Sequence, residues 1–408
     1  MPASKDPSRA RDAMAELIRY NARFVGKWRD PGLLRSKLDR LCASPFGFFR
    51  GTFHLFVSAF RSADYQPVLA RAAQPIVGDA HLENFGAFRA EDGSTRFDVN
   101  DFDEAGSEVP ALDLARLATS IVLAAPAHTD ARVSEAIESF VEAWLDANES
   151  SRGDLLQTPD EACPIRHLLA EAADSDRRKW VEKRVETVSD RRRFRESGKY
   201  LPIVDPVLAS AIEAGVRTYA DAARSTDLGD DWPRILDYAT RVAGTGSLGR
   251  FRWAVLIESK NRKLGRERVL ELKEALPSAL HPHQLGDPAE HVIAQQRLLQ
   301  AASPAFLGVA HVAGVACTVR ELQPTETKAD VTQLQADDLA PFCAATGSAL
   351  GRLHRRGSKA PVVGSASSAR RTLTRSTIAF AFRYAEVVMA DREALLRRRD
   401  EVEEKLGL

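Results

Sequence analysis

Cysteine is scarce in this chain. Cys42, Cys163, Cys317 and Cys343 lie far apart in 408 residues with no paired spacing, which argues against a zinc knuckle or a dithiol redox motif and suits reduced thiols in small core positions. An excess charge of either sign is also missing. Lys plus Arg number 57 and Asp plus Glu number 57, so no global field directs the chain to nucleic acid or to an anionic membrane. Long hydrophobic runs are absent as well. The longest, near residues 121–127, is too short to span a bilayer, and the first twenty residues hold no continuous apolar stretch before a cleavage site. A cytoplasmic protein with neither membrane nor nucleic-acid partner is expected. There is no internal repeat and no low-complexity tract.

The length exceeds what one hydrophobic core usually serves, so about two or three packed units are expected, and two lobes with a cleft would fit. Apolar residues recur at helical spacing in 8–30, 53–60, 112–123, 133–147 and 207–223, and the Arg-rich stretch 175–195 reads as a charged, solvated helix. Residues 196–206 read as a linker. From 232 the texture becomes strand-like: TRVAGTGSLG, FRWAVLIES, a turn at 260–265 and RVLELKEA form an antiparallel start, followed by a helix over 288–301 and the strands FLGVAHVAG and VACTVREL. Helices return at 339–356 and from 374 to about 405, after a loop at 357–368. The division is therefore a helical part with polar loops over 1–231, a β-rich part over 232–325 and a helical part over 326–408.

Polar chemistry concentrates between residues 74 and 104. In V-G-D-A-H-L-E-N-F-G, Asp79 and Asn84 are separated by four residues, the D-x-x-x-x-N spacing of a kinase catalytic loop, where Asp orients or deprotonates the acceptor and Asn holds Mg²⁺. Seventeen residues after Asn84, Asp101 ends an apolar strand in F-D-V-N-D-F-D-E-A-G, where a second metal-binding carboxylate would be needed. Carboxylates this dense repel one another unless a cation sits among them. The plain alternative is that Asp79 and Asn84 cap turns and that Asp98, Asp101 and Asp103 line a solvated strand end; that explains each residue but not their joint spacing. His81 is read as structural, because hard Mg²⁺ prefers oxygen.

A second constellation is G-T-G-S-L-G, with Gly244, Gly246, Ser247 and Gly249, flanked by strands and not opening a helix. That context excludes a dinucleotide fingerprint, and Arg250 and Phe251 stand where a P-loop would have Lys and Ser or Thr. What remains is a glycine hairpin folding over nucleotide phosphates, or simply a flexible turn. In R-V-L-E-L-K-E-A, Leu270 and Leu272 take one strand face and Glu271 and Lys273 the other, so Lys273 can project into a cleft as a phosphate-binding cation. Glu290, on the following helix, is the candidate ion-pair partner for Lys273; its bland alternative is a first-turn helix charge.

GDAHLENFG followed by VNDFDEAG and ALDLARLA resembles the catalytic region of aminoglycoside phosphotransferases and related small-molecule kinases, which implies that Asp113 braces the loop from its helix. SPFGFFRG, GDAHLENFG, FDVNDFDEA, GTGSLGRFR and VRELQP more closely resemble the bacterial family called domain of unknown function 2252, over nearly the whole chain. That resemblance implies an α+β, protein-kinase-like two-lobed fold with a mainly helical large lobe and a small antiparallel β nucleotide lobe. The glycine loop and Lys273 follow the catalytic loop here, so the order is circularly permuted, with residues 320–324 as the hinge. The implied activity is ATP-dependent phosphotransfer with Mg²⁺ to an unidentified small-molecule or protein hydroxyl, with Asp79 catalytic, Asn84 and Asp101 on metal, and Gly244, Gly246, Ser247, Gly249, Lys273 and Glu290 at the nucleotide. Alternatives are a nucleotide-binding pseudokinase-like sensor, a metal-dependent phosphoesterase, or transfer of a nucleotidyl group.

Overall fold

Helices in the first part of the chain start where short polar side chains satisfy free N–H groups. Asp30 accepts from the Gly32 N–H at 2.8 Å and Ser44 from the Gly47 N–H at 2.9 Å, each followed by a proline whose fixed φ suits the first helical turn. The helices Pro31–Ala43, Pro45–Gly51 and Phe53–Ser62 follow. Their apolar faces bury Leu34, Leu38, Phe48, Phe49 and Phe56 in one core with the helices Ala111–Ala124, Asp130–Glu149, Ala336–Ser358 and Ser367–Arg397. The Phe56 ring meets Tyr384 edge-on at 5.1 Å, so the first and last thirds of the chain share a core. The computed structural model describes residues 12–62, 72–150, 164–223, 234–258, 267–324, 329–331, 334–358 and 367–408.

The β-rich part forms a six-stranded antiparallel sheet in the order Gly308–Val312, Val315–Leu322, Glu267–Glu274, Arg252–Glu258, Arg234–Arg241, Tyr200–Pro202. Strand alternation sorts its faces. Leu270 and Leu272 join Trp253, Val255 and Val319 on the face covered by Ile212, Val216 and Tyr219 of the helix Pro206–Ala223. On the opposite face Val269, Ala254 and Leu256 pack under Val181, Val185 and Phe194. Glu271 and Lys273 lie on that second face, and Lys273 reaches the helical part.

The molecule is thus α+β with small antiparallel sheets, as expected. Two local expectations are corrected. Residues 175–195 form only a short helix, Arg177–Glu182, followed by a hairpin of Val185–Val188 and Arg191–Phe194. The Arg run carries no helical apolar period, whereas Val185 and Phe194 reach the sheet's core, and Ser189 and Asp190 turn the chain with φ of 48° and 61°. Tyr200–Pro202, read as linker, is the edge strand of the sheet. The expected turn at 260–265 and most of the loop at 357–368 lie outside the described residues, as does Cys163; Cys42, Cys317 and Cys343 are buried and free. No described helix is long and apolar enough to cross a membrane.

The helices Asp130–Glu149 and Ala336–Ser358 touch backbone to backbone. A Cβ on Gly347 would lie 2.2 Å from the Phe140 carbonyl oxygen. Gly347→Ala gains roughly 1 kcal/mol in helix propensity, yet the clash falls on backbone that cannot move aside. The expected net effect is a loss of about 1–3 kcal/mol in urea unfolding; an unchanged or raised midpoint would show that the helices can separate freely.

Candidate active site

The strand Gln74–Ile76, paired with Gly106–Glu108, delivers the chain into the loop that carries Asp79. Asp113, from the helix Ala111–Ala124, accepts the N–H groups of Val77 and Gly78, both at 2.8 Å. Its Oδ2 also meets His354 Nε2 at 2.9 Å, and both side chains are wholly buried. The indole N–H of Trp144 donates to His354 Nδ1 at 3.1 Å. Because an indole nitrogen can only donate, His354 Nδ1 is the acceptor and Nε2 carries the proton given to Asp113. Three helices are thereby pinned to one loop. Gly78 has φ +84°, and a Cβ there would lie 2.2 Å from the Glu104 carbonyl oxygen, so the Asp79 loop rests directly on the acidic loop beyond Asn100.

Asp79 Oδ1 receives Arg116 Nη2 at 2.7 Å and Nε at 2.9 Å. Arg116 is itself buried, donates to the Phe49 carbonyl at 2.7 Å and stacks 3.5 Å over the Phe49 ring. Burial pushes the Asp79 carboxyl above its ordinary range; Arg116 opposes the shift and Asp101 adds to it. The Asn84 amide donates to the carbonyls of Asp79 at 3.2 Å and Asp101 at 3.0 Å. With the nitrogen so engaged, its Oδ1 is the atom left to serve as a ligand. His81 is buried edge-on to Phe46, with Nε2 3.9 Å from Asp79 Oδ2.

From the sheet, Lys273 Nζ meets Asp101 Oδ2 and Asp103 Oδ2, each at 2.7 Å. Arg250 adds a bond to Asp103 at 2.9 Å and one to Glu104 at 3.2 Å. Burial is the largest influence on Asp101 and acts upward, but Lys273, Arg320 and Arg252 together hold this carboxyl well below the usual range. Asp103 and Glu104 are raised by burial, Asp103 further by its neighbour Asp101. Among the described residues no group of three or more His, Cys, Asp or Glu forms a ready cage for a metal. The oxygen donors of Asn84 and Asp101 fit Mg²⁺, which is commonly held by one or two carboxylates together with substrate phosphates.

The glycine motif connects the strands Arg234–Arg241 and Arg252–Glu258. Gly244, Gly246 and Ser247 line the same cavity as Asp79, Asn84 and Asp101, whereas Gly249 turns away, packed on Phe24, with its carbonyl accepting from Arg29 at 2.7 Å. Glu290 is not brought there. It is exposed in the first turn of the helix Pro288–Leu299, where the helix dipole favours an acid, and Lys273 pairs with Asp101 and Asp103 instead. The expected ion pair between Glu290 and Lys273 is therefore corrected.

Several site residues escaped the sequence reading. Arg116 stands three positions after Asp113 on an otherwise apolar helix, a position that could have marked it as a buried charge with a partner. Arg241 and Arg252 flank the glycine motif, and Glu271 shares a strand face with Lys273. His354 carried no local signal, since its partners lie 241 and 210 positions away.

The family described as "Uncharacterized protein conserved in bacteria (DUF2252)" matches residues 29–398. The chain belongs to this family. No curated protein and no solved structure matches it. The stretch shared with DUF2252 proteins includes Asp79, Asn84, Asp101, the 244–249 loop and Lys273, so both walls of the cavity belong to the family's region. In this DUF2252 chain Asp113→Ala would strand two buried N–H groups and a buried imidazole. A loss of roughly 2–6 kcal/mol is expected in urea unfolding, and a loss under about 1 kcal/mol would mean that the loop is held by other contacts.

Proposed function

We propose that this chain is a Mg²⁺-dependent phosphotransferase that moves a phosphoryl group from a nucleoside triphosphate to a hydroxyl acceptor, through a kinase-like site in circularly permuted order. The observation that carries the reading is the meeting of the buried Lys273 with Asp101 and Asp103 at 2.7 Å, directly behind a cavity that those two carboxylates line together with Asp79, Asn84, Gly244, Gly246 and Ser247. The strand sequence supports it. A glycine loop joins two antiparallel strands and Lys273 lies on the next strand, the relation that a kinase glycine loop has to its phosphate-binding lysine. In this reading the segment carrying Asp79, Asn84 and Asp101 precedes that sheet in the chain and still reaches it in space; activity depends on where side chains meet, not on their order.

Each residue then has a task. Asp79, oriented by Arg116 through Oδ1, keeps Oδ2 for the acceptor hydroxyl, whose proton it takes as the oxygen attacks. Asn84 Oδ1 and Asp101 would hold Mg²⁺, which supplies neutralisation of phosphate charge. Lys273, released from the carboxylates it now pairs, grips the phosphate oxygens, and the N–H groups of the 244–247 segment close over them.

The first test is a thermal-shift screen of nucleoside triphosphates with and without Mg²⁺. At a ligand concentration of 100 times Kd, stabilisation of about 2.7 kcal/mol is expected; no shift with any nucleotide overturns the proposal. Asp101→Asn should abolish the Mg²⁺-dependent part of binding and leave the fold intact. Asp79→Asn should bind nucleotide normally while transfer falls by roughly two orders of magnitude or more, and full turnover in that variant would remove Asp79 from the mechanism. With the Asp79 carboxyl raised by burial, the acid limb of the kcat/KM profile should fall above the value of about 3.9 typical of a free aspartate.

A further inference from the structure

The cavity has a wall that the assignment above leaves without a task. Arg241, Arg252 and Arg320 come from different strands, and all reach one carboxylate, that of Glu271. Arg252 donates through Nε at 2.9 Å and Nη2 at 2.5 Å, Arg320 through Nε at 3.1 Å, and Arg241 through Nη1. Strand register brings them together: Arg320 lies directly opposite Glu271, and Arg252 directly opposite Lys273. Glu271 is wholly buried and carries one charge, so Arg241 and Arg252 alone outnumber it, and all three guanidiniums line the cavity. Arg241 is 20% exposed, with the rest of its donor fork beyond the one bond to Glu271.

The apolar remainder of this sheet face is already taken. Val269, Ala254 and Leu256 are covered by Val181, Val185 and Phe194 of the chain's own segment. Of the two aromatic rings lining the cavity, Tyr20 has His54 stacked at 4.0 Å and the Arg23 guanidinium 4.0 Å from its centroid, and Phe53 is buried at 5% exposure, so neither presents an open ring to a base. A wall of guanidiniums beside a covered apolar surface recognises oxyanions by charge and forked hydrogen bonds; it can stack on a base of any kind, but having donors and no acceptor it has little with which to tell one base from another.

We propose that Arg241, Arg252 and Arg320 form a polyphosphate subsite, so that the donor is selected by its phosphate chain with little regard to the base. This rests on the nucleotide-dependent reading above and names its donor class: nucleoside triphosphates at large, with inorganic tripolyphosphate as the minimal ligand.

Calorimetric titration of the full chain in Mg²⁺ with ATP, GTP, sodium tripolyphosphate and adenosine tests it. ATP, GTP and tripolyphosphate should bind within about tenfold of one another, and adenosine should not bind. Arg241→Gln should weaken ATP and tripolyphosphate by the same factor, about tenfold, because the lost contact is to phosphate. Adenosine binding, or ATP about a hundredfold tighter than both GTP and tripolyphosphate, overturns the subsite while leaving the nucleotide reading standing. Unaltered tripolyphosphate affinity in Arg241→Gln also overturns it. The comparison among ligands uses the unaltered chain and so decides the matter even where the variant does not fold. Absence of binding by all four overturns the nucleotide reading, and the subsite with it.

Discussion

An ammonium group behind the cavity ties the sheet to the acidic loop, with Arg250 beside it. Lys273 leaves the sheet and enters the acidic loop, where Asp101 and Asp103 both accept it at 2.7 Å. Such a contact is a poor source of stability. The lysine side chain is 8% exposed and pays desolvation, while Asp101, desolvated on the side that faces the protein, is still 42% exposed on the side that faces the cavity, where water screens part of its half of the interaction. Its value lies in position. The carboxylates are held independently of the lysine: the Asp103 N–H donates to Asp101 Oδ1 at 3.2 Å, and Asn84 fixes the Asp101 carbonyl. Remove the ammonium and the acids stay in place, ready for another cation.

That independence is inherited from the helical part. Asp113, His354 and Trp144 come from three helices and form one buried chain of donors and acceptors ending on the N–H groups of Val77 and Gly78. A satisfied polar chain in a low-dielectric core is stiff, because breaking any member strands the others. The loop bearing Asp79 is therefore tied directly to the helices behind it. The catalytic role proposed for Asp79 would require such support: side chains held by packed neighbours and a supporting layer of hydrogen bonds. Arg116 extends the same logic, pinned by the Phe49 ring and carbonyl before it touches Asp79.

How much of this could be read from the sequence follows from the range of each interaction. Local periodicity was enough for the helices Ala111–Ala124 and Asp130–Glu149, and strand alternation was enough to put Glu271 and Lys273 on one face. The spacing of Asp79, Asn84 and Asp101 was legible because one short stretch of chain, a loop and the hairpin that follows it, carries all three. What failed depended on tertiary partners. The hairpin Val185–Val188 with Arg191–Phe194 looked like a charged helix because its few apolar residues matter only once a sheet is there to cover. Glu290 failed for a related reason: sequence separation suggested an inward-facing acid, but the buried face of its helix consists of Ala289, Val292, Ile293, Gln296 and Leu299. Arg116, Arg241 and Arg252 were visible as charges near motifs, yet nothing local named their carboxylates.

The charge pattern of the cavity ties these observations together. On the loop side Asp101, Asp103 and Glu104 face Lys273 and Arg250, an excess of one negative charge; on the sheet side Arg241 and Arg252 exceed Glu271 by one positive charge, before Arg320 is considered. A ligand that carries phosphate oxygens toward the guanidiniums and a divalent cation toward the carboxylates complements both at once. A bare metal ion would answer only the acidic wall, and a bare oxyanion only the basic one. On the proposed reading a metal-bound polyanion would answer both walls where either component alone would answer one, and that is why the proposal is a nucleotide-dependent transferase and not a simple carboxylate metal site.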